Sequence, residues 1–234
     1  MGAGAVNARI LATLEQCSYS VLTKSDDLDQ VFRLRYACYR AENSIPKNDL
    51  GIMSDGFDES ANCVHVAVEK DGAFLAAVRL HLVSELNVTS PTLEVFPEVL
   101  EADKAGPTML DPTRFVVHPE ARKERLLLHF AALRIPVLAA MFYDVDIVLA
   151  PVRSEHTAFY LRYLGSDVFA SPRQYPGLKK PVGLLTASAK KVRDKVLGQN
   201  PYFGPIDSLP QSDIRFPSLR GVYAPSPHPV TEAA

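Results

Sequence analysis

Asp71-Gly72 stands between two apolar runs, CVHVAVEK (63–70) and AFLAAVRLHLVS (73–84). Asp-Gly readily takes the two positive-φ positions of a tight type I′ turn, so the runs predict an antiparallel hairpin. In the second run Phe74, Ala76, Val78, Leu80 and Leu82 share one face, and Leu75, Ala77, Arg79 and His81 share the other. Arg79 thus falls mid-strand on a face that begins apolar. A guanidinium in that place predicts a lined cleft over the sheet rather than bare solvent.

The segment before the hairpin, SDDLDQVFRLRYACYRAE (25–42), has helical periodicity, with Ser25, Asp26 or Asp27 as the expected cap. Leu28, Val31, Leu34, Cys38 and Tyr39 form one arc; Arg35 lies in its middle and Glu42 nearby. A buried guanidinium needs carboxylates, because leaving it unpaired costs several kcal/mol. The turn-rich loop KNDLGIMSDGFDES (47–60) offers two, Asp55 and Asp58. After the hairpin, residues 84–108 read as loop with a short helix near 94–100. MLDPTRFVVHP (109–119) reads as a strand in which Pro112 marks an edge, a start or a bulge. A helix over 124–142 should kink or break at Pro136. DIVLAPV (146–152) has the continuous apolarity of a strand covered on both faces. SEHTAFYLRYLG (154–165) is a helix capped by Ser154 and stopped by Gly165. A last strand falls at 181–187. A hairpin that turns into β-α-β predicts an α+β fold with one mixed sheet and helices on both faces. Residues 1–200 make a single domain. Residues 201–234 form a Pro-rich irregular tail whose last dozen residues are expected to be disordered.

With 25 Lys+Arg against 27 Asp+Glu, the chain lacks the basic excess of a protein that coats nucleic acid. Its start has no basic n-region followed by an apolar h-region. The most apolar stretch, 126–143, carries His129, Arg134 and Pro136, so no membrane-spanning segment is expected. An odd count of three cysteines, Cys17, Cys38 and Cys63, suits a reduced, cytoplasmic setting, and each reads as a small buried hydrophobe. Phosphate-loop, dinucleotide, zinc-helix and serine-elbow motifs are all absent, and the six histidines show no ligand spacing. No metal is expected.

What remains is a set of alternating charges: Arg35, Asp55, Asp58, Arg79, Asp111 and Arg114. They are carried by Arg35-Tyr-Ala-Cys-Tyr39, Asp55-Gly-Phe-Asp58, Ala77-Val-Arg79-Leu and Asp111-Pro-Thr-Arg114-Phe-Val-Val, followed by His156-Thr-Ala-Phe-Tyr160-Leu-Arg-Tyr-Leu-Gly165. In order and spacing these resemble the autoinducer-synthase branch of the GNAT N-acyltransferase superfamily. The FeeM-type N-acyl amino acid synthases are nearer than the acyl-homoserine-lactone synthases. Asp111 stands where lactone synthases usually carry Glu, and the chain has no Trp where they often have one. Both departures favour the amino-acid-acylating relatives.

The resemblance implies a GNAT-like, mostly antiparallel sheet with splayed central strands. It also implies transfer of a long-chain acyl group from a thioester to the amine of an amino acid or similar small acceptor. No cofactor is tightly bound; the donor rides on phosphopantetheine. In this superfamily free backbone N–H groups of the central strand hold the pantetheine and polarise the carbonyl, which here assigns Phe115, Val116 and Val117. Coenzyme-A-dependent relatives follow that strand with a glycine-rich turn, whereas this chain has Arg122-Lys123-Glu-Arg125. A compact basic cluster suits an acidic acyl carrier protein, placing acyl-carrier donors ahead of acyl-CoA. Arg79 and Arg114 are candidates for an acceptor carboxylate, with Arg35 holding Asp55 or Asp58. Asp111 is assigned the amine proton, and Tyr160 the departing thiolate, as a Tyr there does in many relatives. Asp111 and Arg114 face opposite ways on a regular strand, so this grouping requires a bulge. A coenzyme-A-dependent acetyltransferase and a non-catalytic module binding acyl chains or an acyl carrier protein are the alternatives.

Overall fold

The structure is a computed structural model that describes residues 3–23, 28–101, 108–122, 126–196, 200 and 214–225. Its strands are β1 (Ser18–Leu22), β2 (Cys63–Lys70), β3 (Ala73–Val83), β4 (Met109–Val117), β5 (Ile147–Val152), β6 (Asp167–Arg173) and β7 (Val182–Ser188). Its helices are α1 (Ala3–Leu14), α2 (Asp29–Ala41), α3 (Pro91–Val95), α4 (Leu128–Phe142), α5 (Ser154–Tyr163) and α6 (Ala189–Val196). The seven strands form one sheet in the order β1-β2-β3-β4-β5-β7-β6, antiparallel except for β4 against β5. This is the expected α+β, mostly antiparallel sheet.

The hairpin turns at Asp71 (φ 52°) and Gly72 (φ 79°), the left-handed pair that its sequence favours. Strand alternation then sorts the core. Val64, Val66, Val78, Leu80 and Leu82 pack with Ile135 and Leu138 of α4, Ile10 of α1 and Val192 of α6. Ala67, Ala77 and Val116 point the other way, onto Val31, Leu34 and Cys38 of α2. Each such Val or Leu contributes roughly 1.5–3 kcal/mol of burial free energy. The small Ala67 and Ala77 let α2 lie close to the sheet, which brings Arg35 down among the strands.

Several local readings change. The proposed cap residues 25–27 lie outside the described residues, and α2 starts after Leu28 without a side-chain cap. Ser154 is the first helical residue of α5, preceded by Arg153 at the cap position, and makes no capping bond. Gly165 (φ 69°) does end that helix. Helix α4 runs through Pro136, whose neighbours Ile135 and Val137 are buried, so tertiary packing outweighs the lost backbone bond. Elements α1, β1, β6 and α6 were not anticipated. Among the described tail residues, Ile214, Phe216 and Tyr223 join the main core, and the Tyr223 hydroxyl donates to the Tyr143 carbonyl at 2.7 Å. Of the last dozen residues, expected to be disordered, Tyr223 is thus buried and bonded, and 226–234 lie outside the described residues. Among the described residues, no helix is long and apolar enough to cross a membrane.

Two irregularities in β4 position everything that follows. Its ladder to β5 holds only Met109↔Ile147 and Leu110↔Val148, and ends two residues before Pro112, which has no N–H to continue it. Against β3, the pairs Arg79↔Thr113 and Ala77↔Val116 set three residue steps opposite two. That is a bulge, and Arg114 within it has φ 53°. It sits two residues beyond Pro112, the place the sequence suggested.

Candidate active site

Three arginines and two aspartates from four separate segments meet where α2 packs on the sheet. Arg35 Nη1 lies 2.6 Å from Asp58 Oδ1, and Arg79 Nη1 lies 2.8 Å from the same oxygen and 2.5 Å from Asp55 Oδ1. Arg114 Nη2 reaches Asp55 Oδ2 at 2.6 Å. The bulge makes this last contact available, because it turns Arg114 back toward the face that carries Arg79. The D-G-F-D loop is held by its own backbone: the Asp55 N–H donates to Asp58 Oδ2 at 2.8 Å and the Phe57 N–H to Asp55 Oδ1 at 3.0 Å. Arg79 Nε donates to Thr113 Oγ1 at 3.0 Å.

Burial alone would raise both aspartates, yet the guanidiniums outweigh it and hold Asp55 and Asp58 below the usual carboxylate range. Arg35 and Arg79 are fully buried, and Arg79 Nη2 has no partner among the described residues. Three cations against two anions leave a surplus positive charge on the face of the sheet that α2 covers. His65 accepts from Arg35 Nη2 at Nδ1 (2.8 Å), since a guanidinium can only donate, so its proton sits on Nε2 facing the Asp58 carbonyl at 3.1 Å. Burial and Arg35 depress His65 to about 4, and it does not add to the surplus.

Where β4 leaves β5, a cleft of about 370 Å³ opens. It is lined by residues 112–117 of β4, by Cys38, Tyr39 and Glu42 at the end of α2, and by Leu133 of α4. His129, Arg153, His156, Phe159, Tyr160 and Leu178 complete it. The candidates Arg114, Phe115, Val116, Val117 and Tyr160 therefore converge on one space. Arg35, Asp58 and Arg79 lie behind it and reach it through Asp55 and Arg114. Burial, and then Tyr39, push the Tyr160 phenol up to about 12, so it keeps its proton at neutral pH. A smaller apolar cavity of about 40 Å³ continues inward past Phe115, Leu133 and Tyr160, between Pro136 and Val137 of α4 and Val148 and Ala150 of β5.

Asp111 is not among the residues that line the cleft. It is fully buried directly across the ladder from His81, and accepts from the Ser90 hydroxyl at 2.6 Å and the Thr92 hydroxyl at 2.7 Å. Burial raises its carboxyl. Thr92 Oγ1 also meets the Tyr175 hydroxyl at 3.2 Å, and Gly177 of the same loop packs near Arg114 Nη2. Asp111 thus holds Ser90 and Thr92 and, through Thr92, the loop that carries Tyr175 over the site. Lys123, Arg125 and the Arg122 side chain lie outside the described residues.

The sequence model of the FeeM N-acyl amino acid synthase family matches residues 30–188, the span that contains both the charge network and the cleft. The chain belongs to that family. As a FeeM-family member it is an N-acyltransferase, and its fold agrees. The structure of FeeM, an N-acyl amino acid synthase from uncultured soil microbes, superimposes with a TM-score of 0.62 at 13% identity, covering 77% of this chain and 95% of that one. The acyl-homoserine-lactone synthase LasI gives 0.58 at 17% identity, with 78% and 95% covered. BjaI, a coenzyme-A-dependent acyl-homoserine-lactone synthase, gives 0.55 at 16%, with 76% and 88% covered. At such identities the likeness is one of fold. No curated protein matches the sequence.

Proposed function

We propose that the enzyme moves a long-chain acyl group from an acyl-carrier-protein thioester to the amine of an amino acid or similar small acceptor. The observation that carries this is the unpaired stretch of β4 along the cleft. Backbone groups released from the β5 ladder are fixed donors and acceptors for an extended pantetheine arm and a thioester oxygen, each worth roughly 3–4 kcal/mol in acyl-transfer sites. The apolar cavity beyond Phe115 and Leu133 continues that line for the acyl chain. At the opposite side Arg114, backed by the surplus cation, offers its guanidinium to an acceptor carboxylate. Residues 118–128 contain no glycine, so the turn after β4 lacks the freedom to wrap a pyrophosphate closely. A carrier protein presents only a single phosphate there, and Arg122, Lys123 and Arg125 are its candidate contacts.

The test supplies purified enzyme with one acyl chain on either carrier protein or coenzyme A, together with a panel of amino acids, and follows thiol release and amide mass. Amide from the carrier donor is expected. A strong preference for coenzyme A would overturn the donor assignment, and no amide with any acceptor would overturn the whole reading. In the same assay Tyr160→Phe should lower kcat roughly 100-fold, the low end of general-acid effects, since a thiolate leaves readily. Its melting temperature should stay within a few degrees of the parent.

A further inference from the structure

With Asp111 outside the cleft, the side chains lining it that could take a proton from an incoming ammonium are Glu42, His129 and His156, the last already met at Nε2 by Arg153. Among the described residues that line the cleft, Glu42 is the single carboxylate. We propose that Glu42 is the catalytic residue that binds the acceptor ammonium and takes its proton, an assignment resting on the acyltransfer reading above. Glu42 closes α2 as its C-cap, and the following residues build a Schellman turn. Asn43 is left-handed (φ 52°) and donates its N–H to Arg40 O at 3.0 Å, while the Ser44 N–H donates to Tyr39 O at 2.8 Å. That turn is clamped from two sides. Arg153 Nη1 donates to Ser44 Oγ at 3.1 Å, and Lys179 donates through its N–H to Ser44 O at 3.0 Å and through Nζ to Asn43 Oδ1 at 2.8 Å.

The carboxylate itself is steered by Arg153, whose Nη2 lies 3.0 Å from Glu42 Oε2. The same nitrogen touches His156 Nε2 at 3.0 Å, and Nε approaches Glu155 at 3.3 Å. One oxygen of Glu42 is thus anchored, and the side chain is still 48% exposed, free to meet a cation.

The step balances simply. Glu42 removes one proton from the ammonium and passes it to solvent. The freed lone pair forms the C–N bond, the C–S pair leaves on sulfur, and sulfur takes its proton from Tyr160. The second nitrogen proton, lost as the amide forms, is returned to Tyr160 through solvent. Arg153 is a positioning residue in this scheme.

Glu42→Gln and Glu42→Asp are compared with the parent enzyme from pH 6.5 to 9.5, with an ordinary amino acid and with an acceptor of low amine pKa such as aminoacetonitrile. Expected for Glu42→Gln is a loss of about 100-fold in kcat/KM for the amino acid at pH 7. The loss should shrink below tenfold at pH 9.5 or with the low-pKa amine, while the KM for the acyl donor stays unchanged. Glu42→Asp should recover part of the rate. Parent-like rates for Glu42→Gln overturn this assignment alone, as does an equal loss at every pH and with both amines. No amide from the parent enzyme overturns the acyltransfer reading along with it.

Discussion

Asp58→Asn is expected to cost about 3–5 kcal/mol of folding free energy, the range for removing one member of a buried charge cluster. Asp58 Oδ1 accepts from two buried guanidiniums, and Oδ2 accepts from the Asp55 N–H. An asparagine has one oxygen for these two places. Whichever way it sits, its NH2 faces a donor, and Arg35 and Arg79 lose their shared anion. Urea unfolding of the parent and the variant measures the effect directly. A difference under about 1 kcal/mol would show the cluster to be energetically idle. If Asp58→Asn yields no folded protein, Thr113→Val, which removes only the 3.0 Å contact to Arg79 Nε, should cost about 1 kcal/mol and keep the network measurable.

Acid should unfold the protein in two stages. His65 and His81 are buried and neutral: burial and Arg35 depress the first to about 4, and burial and Arg79 depress the second to about 3. An unfolded histidine takes its proton near pH 6.5, so the unfolded state binds more protons below that pH and stability falls as acid is added. For His65 the loss runs from about pH 6.5 to about 4 and reaches on the order of 3 kcal/mol. His81, with Nδ1 buried and unpartnered among the described residues, extends the window toward pH 3. Below about pH 4 the second stage begins, because Asp55 and Asp58 titrate below their unfolded values and their ion pairs are lost as they take up protons. Urea midpoints measured from pH 8 to pH 3.5 should therefore decline from near pH 6.5 downward. His65→Gln should flatten the upper part of that curve. A midpoint that holds constant to pH 4.5 would contradict this account.

The hairpin, α2, β4, β5 and α5 were legible because each has a strong local signal: Asp71-Gly72, the apolar arc around Arg35, a continuous apolar run, or a terminal Gly165. The convergence of Arg35, Arg79, Asp55 and Asp58 was legible for a different reason. Buried guanidiniums must find carboxylates, and the loop at 55–58 supplied them. Edge strand β6 was not legible, since DVFASPR is largely exposed and shows no alternation. The surroundings of Asp111 were not legible, because its sequence position says nothing of what lies above it; Ser90 and Thr92 close over it only in three dimensions. The bulge was anticipated, but its place depends on the pairing of β4 with β3, which no single strand encodes. Glu42 carried no catalytic signal of its own. Its position depends on Arg153, more than a hundred residues away.

The turn after α2 has a mechanical side as well. The sheet is two jaws, β1–β4 and β5–β7, hinged where Met109 and Leu110 meet Ile147 and Val148. At the open end the jaws are latched by side chains: Arg153 from the end of β5 and Lys179 from the loop before β7 both fasten to residues 42–44. At that end a few polar contacts at the rim join the jaws, which the core under α4 also holds together. Because Glu42 and Arg153 belong to that latch, the contacts that join the jaws at the rim are the same ones that place the proposed base.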